Sequence, residues 1–412
     1  MKVTRILQAL AVGALVVASA TLVSAPASAA EKQQQPSPKL AKPLHEAQED
    51  IKAKKWTDAI AKLKEADAMA GKTPYDQHVI NDFYSFAYIN TQNYAEAAKA
   101  LEAELDDGIT TESEKPQKTR AITELNYQLK NYDKVIDYGN RALKNGEDER
   151  MRILVGQAYY LKGDFKDSLK FEESTIDAQI KSGQTPKKDT LLLFYSSCQK
   201  MKDDPCQTRA MEKLVQYYPE PDYWSQLLFN LRAQISNSDA DTLQTYRLMT
   251  EVDVLKTPGD YNEMAQLALE AGSPGEAQSV LEKGFSKNVF SDKLTEDRNK
   301  RLLENAKKAA ATDQATLPKL VQEADASPTG AKNVGVGIAY LGYGKYDQAA
   351  DEINKGLTKG GVKDEAQARL LLGIAQLKGG HKDDAVKTFH AVKGDPVLER
   401  LANLWTLHAK AA

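Results

Sequence analysis

The stretch Leu154-Val155-Gly156-Gln157-Ala158-Tyr159-Tyr160-Leu161-Lys162-Gly163-Asp164-Phe165 decides the fold. It reads as an apolar helix carrying a small residue, Gly156, and an aromatic, Tyr159, one turn later. A turn with Gly163 follows, then the aromatic Phe165, two polar residues and the small Ser168 of a second helix. Gly163 reaches positive φ without a Cβ penalty and so ends the first helix at little strain. Gly156 removes a side chain where the paired helices cross, which predicts that Ser168 approaches it and that Tyr159 fills the space beyond. Gly337, Tyr340, Gly344, Tyr346 and Ala349 repeat the order.

The same block returns along the chain as Lys55-Trp56-Thr57-Asp58-Ala59, Asn93-Tyr94-Ala95-Glu96-Ala97 and Asn131-Tyr132-Asp133-Lys134-Val135. Ser273-Pro274-Gly275-Glu276-Ala277 and His381-Lys382-Asp383-Asp384-Ala385 change the aromatic and keep the rest. The residue opening each second helix recurs after 38, 38 and 33 positions from Ala59 to Ser168, and after 36 from Ala349 to Ala385. About nine to ten units therefore fit between Leu44 and the C-terminus. Boundaries between 185 and 258 stay open, because Cys206 and Ala210 compete as the small residue of one unit. The alanine-rich segment 292–326 lacks the signature and is expected to be a degenerate unit that keeps the period. Residues 397–410, opening VLERLANLWTLHA, are amphipathic at helical spacing and are expected to cap the final hairpin.

A helix-turn-helix repeat of about 34 residues with this pattern resembles the tetratricopeptide repeat. The family's usual Trp early in the first helix is missing. Tyr217–Trp224, Tyr246–Met249 and Asp260–Ala265 are also similar to uncharacterised exported proteobacterial repeat proteins. The resemblance implies an all-α, right-handed superhelical solenoid of antiparallel hairpins over 44–412, with first helices lining a groove that holds a peptide or helix of another protein. It places Asp82, Phe86, Ile89, Arg120, Glu124, Tyr127, Ile153, Gln157 and Tyr160 in a mixed first half of that groove. Val334, Ile338, Leu341, Leu370, Ile374 and Leu377 fall in an apolar second half. The apolar half is the expected partner site; the alternative is that a neighbouring helix fills it. The aromatic run Tyr217–Trp224 reads either as a clasp for a peptide or glycan or as a core joint between hairpins.

Lys2 and Arg5 precede an apolar stretch that ends in the small residues Ala27-Ser28-Ala29-Ala30, the layout of a cleavable signal peptide over 1–30. A transmembrane anchor is the alternative. Residues 31–43 (EKQQQPSPKLAKP) are polar and proline-containing, and a flexible linker is expected there. A periplasmic location follows as the expectation. Without residues 1–30 the chain holds 53 basic and 58 acidic residues, a balance that disfavours a nucleic-acid footprint. In an oxidising compartment the two cysteines, Cys198 and Cys206, are expected to form a disulfide, with two buried thiols as the alternative.

His45, His78, His381, His390 and His408 show no ligand spacing, and no nucleotide-loop, hydrolase or zinc-protease motif occurs. Neither a metal nor another cofactor is expected, and no catalysis. The expected role is a protein-interaction scaffold without an integral membrane segment after signal cleavage. A glycan-binding protein or enzyme using the groove as a cleft, and a self-associating structural oligomer, are the rival classes.

Overall fold

A computed structural model describes residues 35–146, 148–235 and 238–411. The expected signal peptide and the first residues of the expected linker lie outside the described residues. The chain divides into two compact units, one ending at Lys202 and one beginning at Asp203. Among the described residues all regular structure is helical.

The N-terminal unit consists of α1 (Pro38–Lys52), α2 (Trp56–Asp67), α3 (Pro74–Asn90), α4 (Tyr94–Asp106), α5 (Lys115–Gln128), α6 (Tyr132–Lys144), α7 (Glu149–Lys162), α8 (Phe165–Lys181) and α9 (Lys188–Met201). Successive helices pair as hairpins from α1/α2 to α7/α8, and α1 meets α3, α5 meets α7 and α7 meets α9. The signature aromatics Trp56, Tyr94, Tyr132 and Phe165 are each the first residue of a second helix. Just before them the chain takes a left-handed turn, at Lys54, Gln92, Lys130 and Gly163 with φ of 59°, 61°, 59° and 88°. A side chain pays for that conformation and glycine does not. Lys130→Gly is therefore expected to stabilise the N-terminal unit by about 0.5–1 kcal/mol, read as a higher urea midpoint with unchanged slope. A loss of stability would show that Lys130 contributes more than its backbone.

Two expectations are corrected here. The linker was expected to extend to Pro43, but α1 begins at Pro38. Pro38 occupies the first turn, where its missing N–H costs nothing, and Leu40, Leu44, Ala47 and Ile51 bury one face at helical spacing. Ser37 then donates from its backbone N–H and its hydroxyl to Asp76 at 2.7 and 2.8 Å, and Asp76 also closes a capping box with Thr73. Burial raises the Asp76 pKa, but hydrogen bonds from Thr73 and Ser37 outweigh it and hold the carboxyl below its ordinary range. Gly156 also serves a different neighbour from the one expected. A Cβ there would lie 1.9 Å from Glu172 Oε1 of α8, so the glycine makes room for a buried carboxyl rather than for Ser168.

The C-terminal unit consists of α10 (Asp204–Tyr217), α11 (Pro221–Gln234), α12 (Asp239–Glu251), α13 (Pro258–Glu270), α14 (Pro274–Ser286), α15 (Lys293–Ala326), α16 (Ala331–Gly342), α17 (Tyr346–Lys359), α18 (Glu365–Lys378), α19 (Lys382–His390) and α20 (Pro396–Ala411). Hairpins form again from α11/α12, α13/α14, α16/α17 and α18/α19. Gly337 does here what the sequence implied, since a Cβ on it would meet Ile353 at 2.5 Å and the Ala349 carbonyl at 3.0 Å. The expected degenerate unit is instead one uninterrupted helix of 34 residues, α15. No glycine interrupts it, alanine and long straight side chains favour continuation, and Pro318 is its single internal proline. Asn299, Ala306, Ala310, Leu317 and Ala324 form a narrow buried seam along it.

Candidate functional site

In the N-terminal unit, polar links join neighbouring first helices. Lys118 of α5 donates to Asp82 of α3 at 3.4 Å and also pairs with Glu104 of α4. Arg150 of α7 pairs with Glu124 of α5, and the Tyr127 hydroxyl donates to Gln157 Oε1 at 2.7 Å. Arg120 pairs with Asp148 at 2.6 Å. Burial, with the neighbouring Asp82 charge, pushes the Glu104 carboxyl up to about 8 against the opposing pull of Lys118.

The residues expected to contact a partner here divide into two groups. Ile89 and Glu124 are buried and are withdrawn as contact residues; Ile89 packs in the core beside Leu101 and Leu125. Tyr127 and Gln157 are brought together as expected of one face, and Asp82, Phe86, Ile153 and Tyr160 are half-buried beside them while Arg120 is exposed. Phe86 lies edge-on to Trp56 at 5.7 Å and Tyr160 edge-on to Phe165 at 5.3 Å. Sequence reasoning missed Lys118 and Arg150. Their signal was present as opposite charges one hairpin from Asp82 and Glu124, but surface ion pairs are too common for such spacing to be diagnostic.

The apolar half of the expected groove is covered in part from within. In the C-terminal unit α14 meets α16, α16 meets α18, and α20 meets α18, α12 and α10. The helix expected only to cap the last hairpin thus reaches back across the unit. Leu398, Leu401, Ala402, Leu404, Trp405, Thr406 and Ala409 of α20 are all buried; at 100° per residue they span an arc of about 200°, twice an ordinary amphipathic stripe. Trp405 stacks on Phe389 at 6.1 Å. His408 lies edge-on to Trp224 at 6.3 Å and 3.6 Å from Glu251. Arg400 donates to Glu212 at 3.3 Å and Gln234 at 3.1 Å. Glu251 also takes Lys378 at 2.9 Å, and the neighbouring His408 ring together with the Lys378 charge holds its carboxyl at about 2 despite burial.

Leu370 and Ile374 of α18, which packs on α17, α19 and α20, are buried at 0% and 3% exposure and do not present themselves to a partner. Val334 is buried as well and faces Gly356 of α17. Ile338, Leu341 and Leu377 are half-buried. Beside Trp405 a cavity of about 370 Å³ persists, walled by Met264, Leu341, Ile374, Tyr343 and an Arg247–Glu276 pair. That pair is two-pronged, at 2.8 and 2.6 Å. Trp224, from the aromatic run, is buried at 2% and behaves as a core joint.

Both cysteines are buried and neither is a free thiol. Among the described residues no group of three or more His, Cys, Asp or Glu side chains converges as metal ligands, and no helix is long and apolar enough to cross a membrane.

Residues 337–396, from Gly337 through α19, match the tetratricopeptide-repeat family model. No curated protein matches the sequence. Among solved structures, that of Naa15/Naa10 bound to HypK-THB is 15% identical over 90% of this chain and 68% of that one, with a TM-score of 0.34. The maize pentatricopeptide repeat protein PPR10 is 16% identical over 89% and 50%, at 0.32, and yeast Tom70 is 13% identical over 90% and 96%, at 0.21. Scores this low mean that the arrays do not superpose as whole bodies, so the architecture rests on this chain's own helix pairs. By those pairs the chain is an all-α array of helix hairpins, and its residues 337–396 are similar to the tetratricopeptide repeat.

Proposed function

We propose that the protein is a periplasmic interaction scaffold, exported by the segment 1–30, which holds a protein or peptide partner on the first-helix face of its N-terminal unit. The observation that carries this reading is the contrast between the units. The C-terminal unit buries Val334, Leu370 and Ile374 of its expected apolar groove within itself, whereas Arg120, Phe86, Tyr127, Ile153, Gln157 and Tyr160 leave a polar and aromatic face at least partly open. Aromatics with an Arg are the residue types that dominate binding energy at interfaces. Holding, rather than catalysis, suits such a face, and envelope assembly, transport or energy coupling is the setting we assign to it.

A photo-crosslinking amino acid at Arg120 or Tyr160, with Lys170 of α8 as the control position, tests the assignment in the native compartment. A discrete adduct with another protein from the first two positions and not the third is the expected result. Equal labelling from all three positions removes the face from consideration. Adducts only with further copies of the chain make the protein a structural oligomer instead.

A further inference from the structure

We propose that α20 is a displaceable internal ligand, and that the seat it occupies in the C-terminal unit is a receptor for an amphipathic helix of a partner protein. The seat is assembled from the adjacent helices α18 and α19 and from α10 and α12, which are distant in sequence from α20. Glu212 takes Arg400 and Glu251 takes His408, so two acidic groups mark its two ends, and Leu401, Leu404 and Trp405 lie between them, each at most 1% exposed.

The fit is incomplete in two independent respects. A half-open cleft of about 370 Å³, rimmed by the exposed Ser279, Glu282 and Gln314, lies beside Trp405 and leaves room for a larger apolar side chain. Buried donors are almost always paired, yet Arg400 Nη2 and Trp405 Nε1 on α20 and Gln244 Nε2 on α12 have no hydrogen-bond partner among the described residues. A helix that leaves an unfilled cleft beside it and two of its own buried donors unpaired is not the best occupant of its own seat. Gly394, with φ of 95°, sits in the short joint between α19 and α20 and supplies a left-handed pivot. The seat therefore selects a helix with an Arg and a His eight residues apart, as Arg400 and His408 are, and an apolar stripe between them bulky enough to enter the cleft. This mode, an apolar helix face laid into a groove, is a recurrent form of peptide recognition.

The test uses the full chain after signal removal and a fluorescein-labelled peptide with the sequence of residues 396–411. Leu401→Ala weakens the internal helix while the seat stays intact. The peptide is expected to bind this variant at least about tenfold more tightly than the unaltered chain, one to one. In the unaltered chain the amides of α20 are expected to exchange hydrogen faster than those of α12 and α18. Absence of binding to a folded Leu401→Ala chain overturns the proposal, and so does exchange of α20 only in step with α12 and α18. A stable dimer of the unaltered chain with exchanged α20 helices also overturns it, because the seat then belongs to a second copy. Should Leu401→Ala fail to fold, exchange in the unaltered chain decides alone. None of these outcomes bears on crosslinks from the N-terminal face, so the two sites stand or fall separately.

Discussion

Trp405→Ala is expected to lower the stability of the C-terminal unit by about 3–5 kcal/mol, the range for removing a fully buried large aromatic. Trp405 is 1% exposed, stacks on Phe389 and meets His408 edge-on at 6.1 Å. Its loss would enlarge a cavity already open beside it, and the surrounding helices relax only in part. Urea unfolding followed separately for the two units provides the measurement. Trp56→Ala, which truncates a half-buried ring of the N-terminal unit, serves as the comparison and is expected to cost less. A loss under about 1 kcal/mol for Trp405→Ala would mean that α20 does not hold the unit closed.

Glu172→Gln is expected to stabilise the N-terminal unit at neutral and alkaline pH and to leave it unchanged near pH 4. Burial pushes the Glu172 carboxyl up to about 8, and the residue is 3% exposed against Gly156. In the folded chain it therefore keeps a proton that the unfolded chain releases above its ordinary pKa of 4.5. The native state then binds more protons between pH 4.5 and about 8, so stability falls as pH rises through that window and is flat on either side. At pH 7 the cost is about 3 kcal/mol, from about 1.4 kcal/mol per unit of pKa difference. Glutamine keeps the shape and removes the titration. A gain of about 1–3 kcal/mol at pH 8 allows for the amide's own need of partners. Urea midpoints at pH 4 and pH 8 decide it. An equal effect at both would show that Glu172 is charged in the folded protein.

The hairpins were legible because their signals are local. Trp56, Tyr94, Tyr132, Phe165 and Tyr346 each open a second helix, and the residue two before each of the first four takes the left-handed turn. Turn chemistry and the 3.6-residue period act within a few residues, so one chain suffices to read them. The first-helix face of the N-terminal unit was legible only in part. The repeat placed Tyr127 and Gln157 on one surface, but it gave no sign that Ile89 and Glu124 would be buried.

The sequence by itself determined that the chain is an array of paired helices, where each pair turns, and which residues open each second helix. Tertiary structure alone decided two further matters. Segment 292–326 became one helix standing in the place of a pair, because periodicity without a turn signal does not say whether the chain folds back. As a result the second helices α12 and α14 share an inner surface with the first helices α16 and α18. Part of the apolar second half of the groove was then covered from within, and α20 reached back across the unit through contacts such as Arg400 with Glu212 that join residues 188 positions apart. An apolar helix face states that it will be covered, and the free energy of covering it is the same whether the cover comes from the chain itself or from another protein. Which one arrives depends on the accumulated rotation of every hairpin between, and no local stretch of sequence contains that sum.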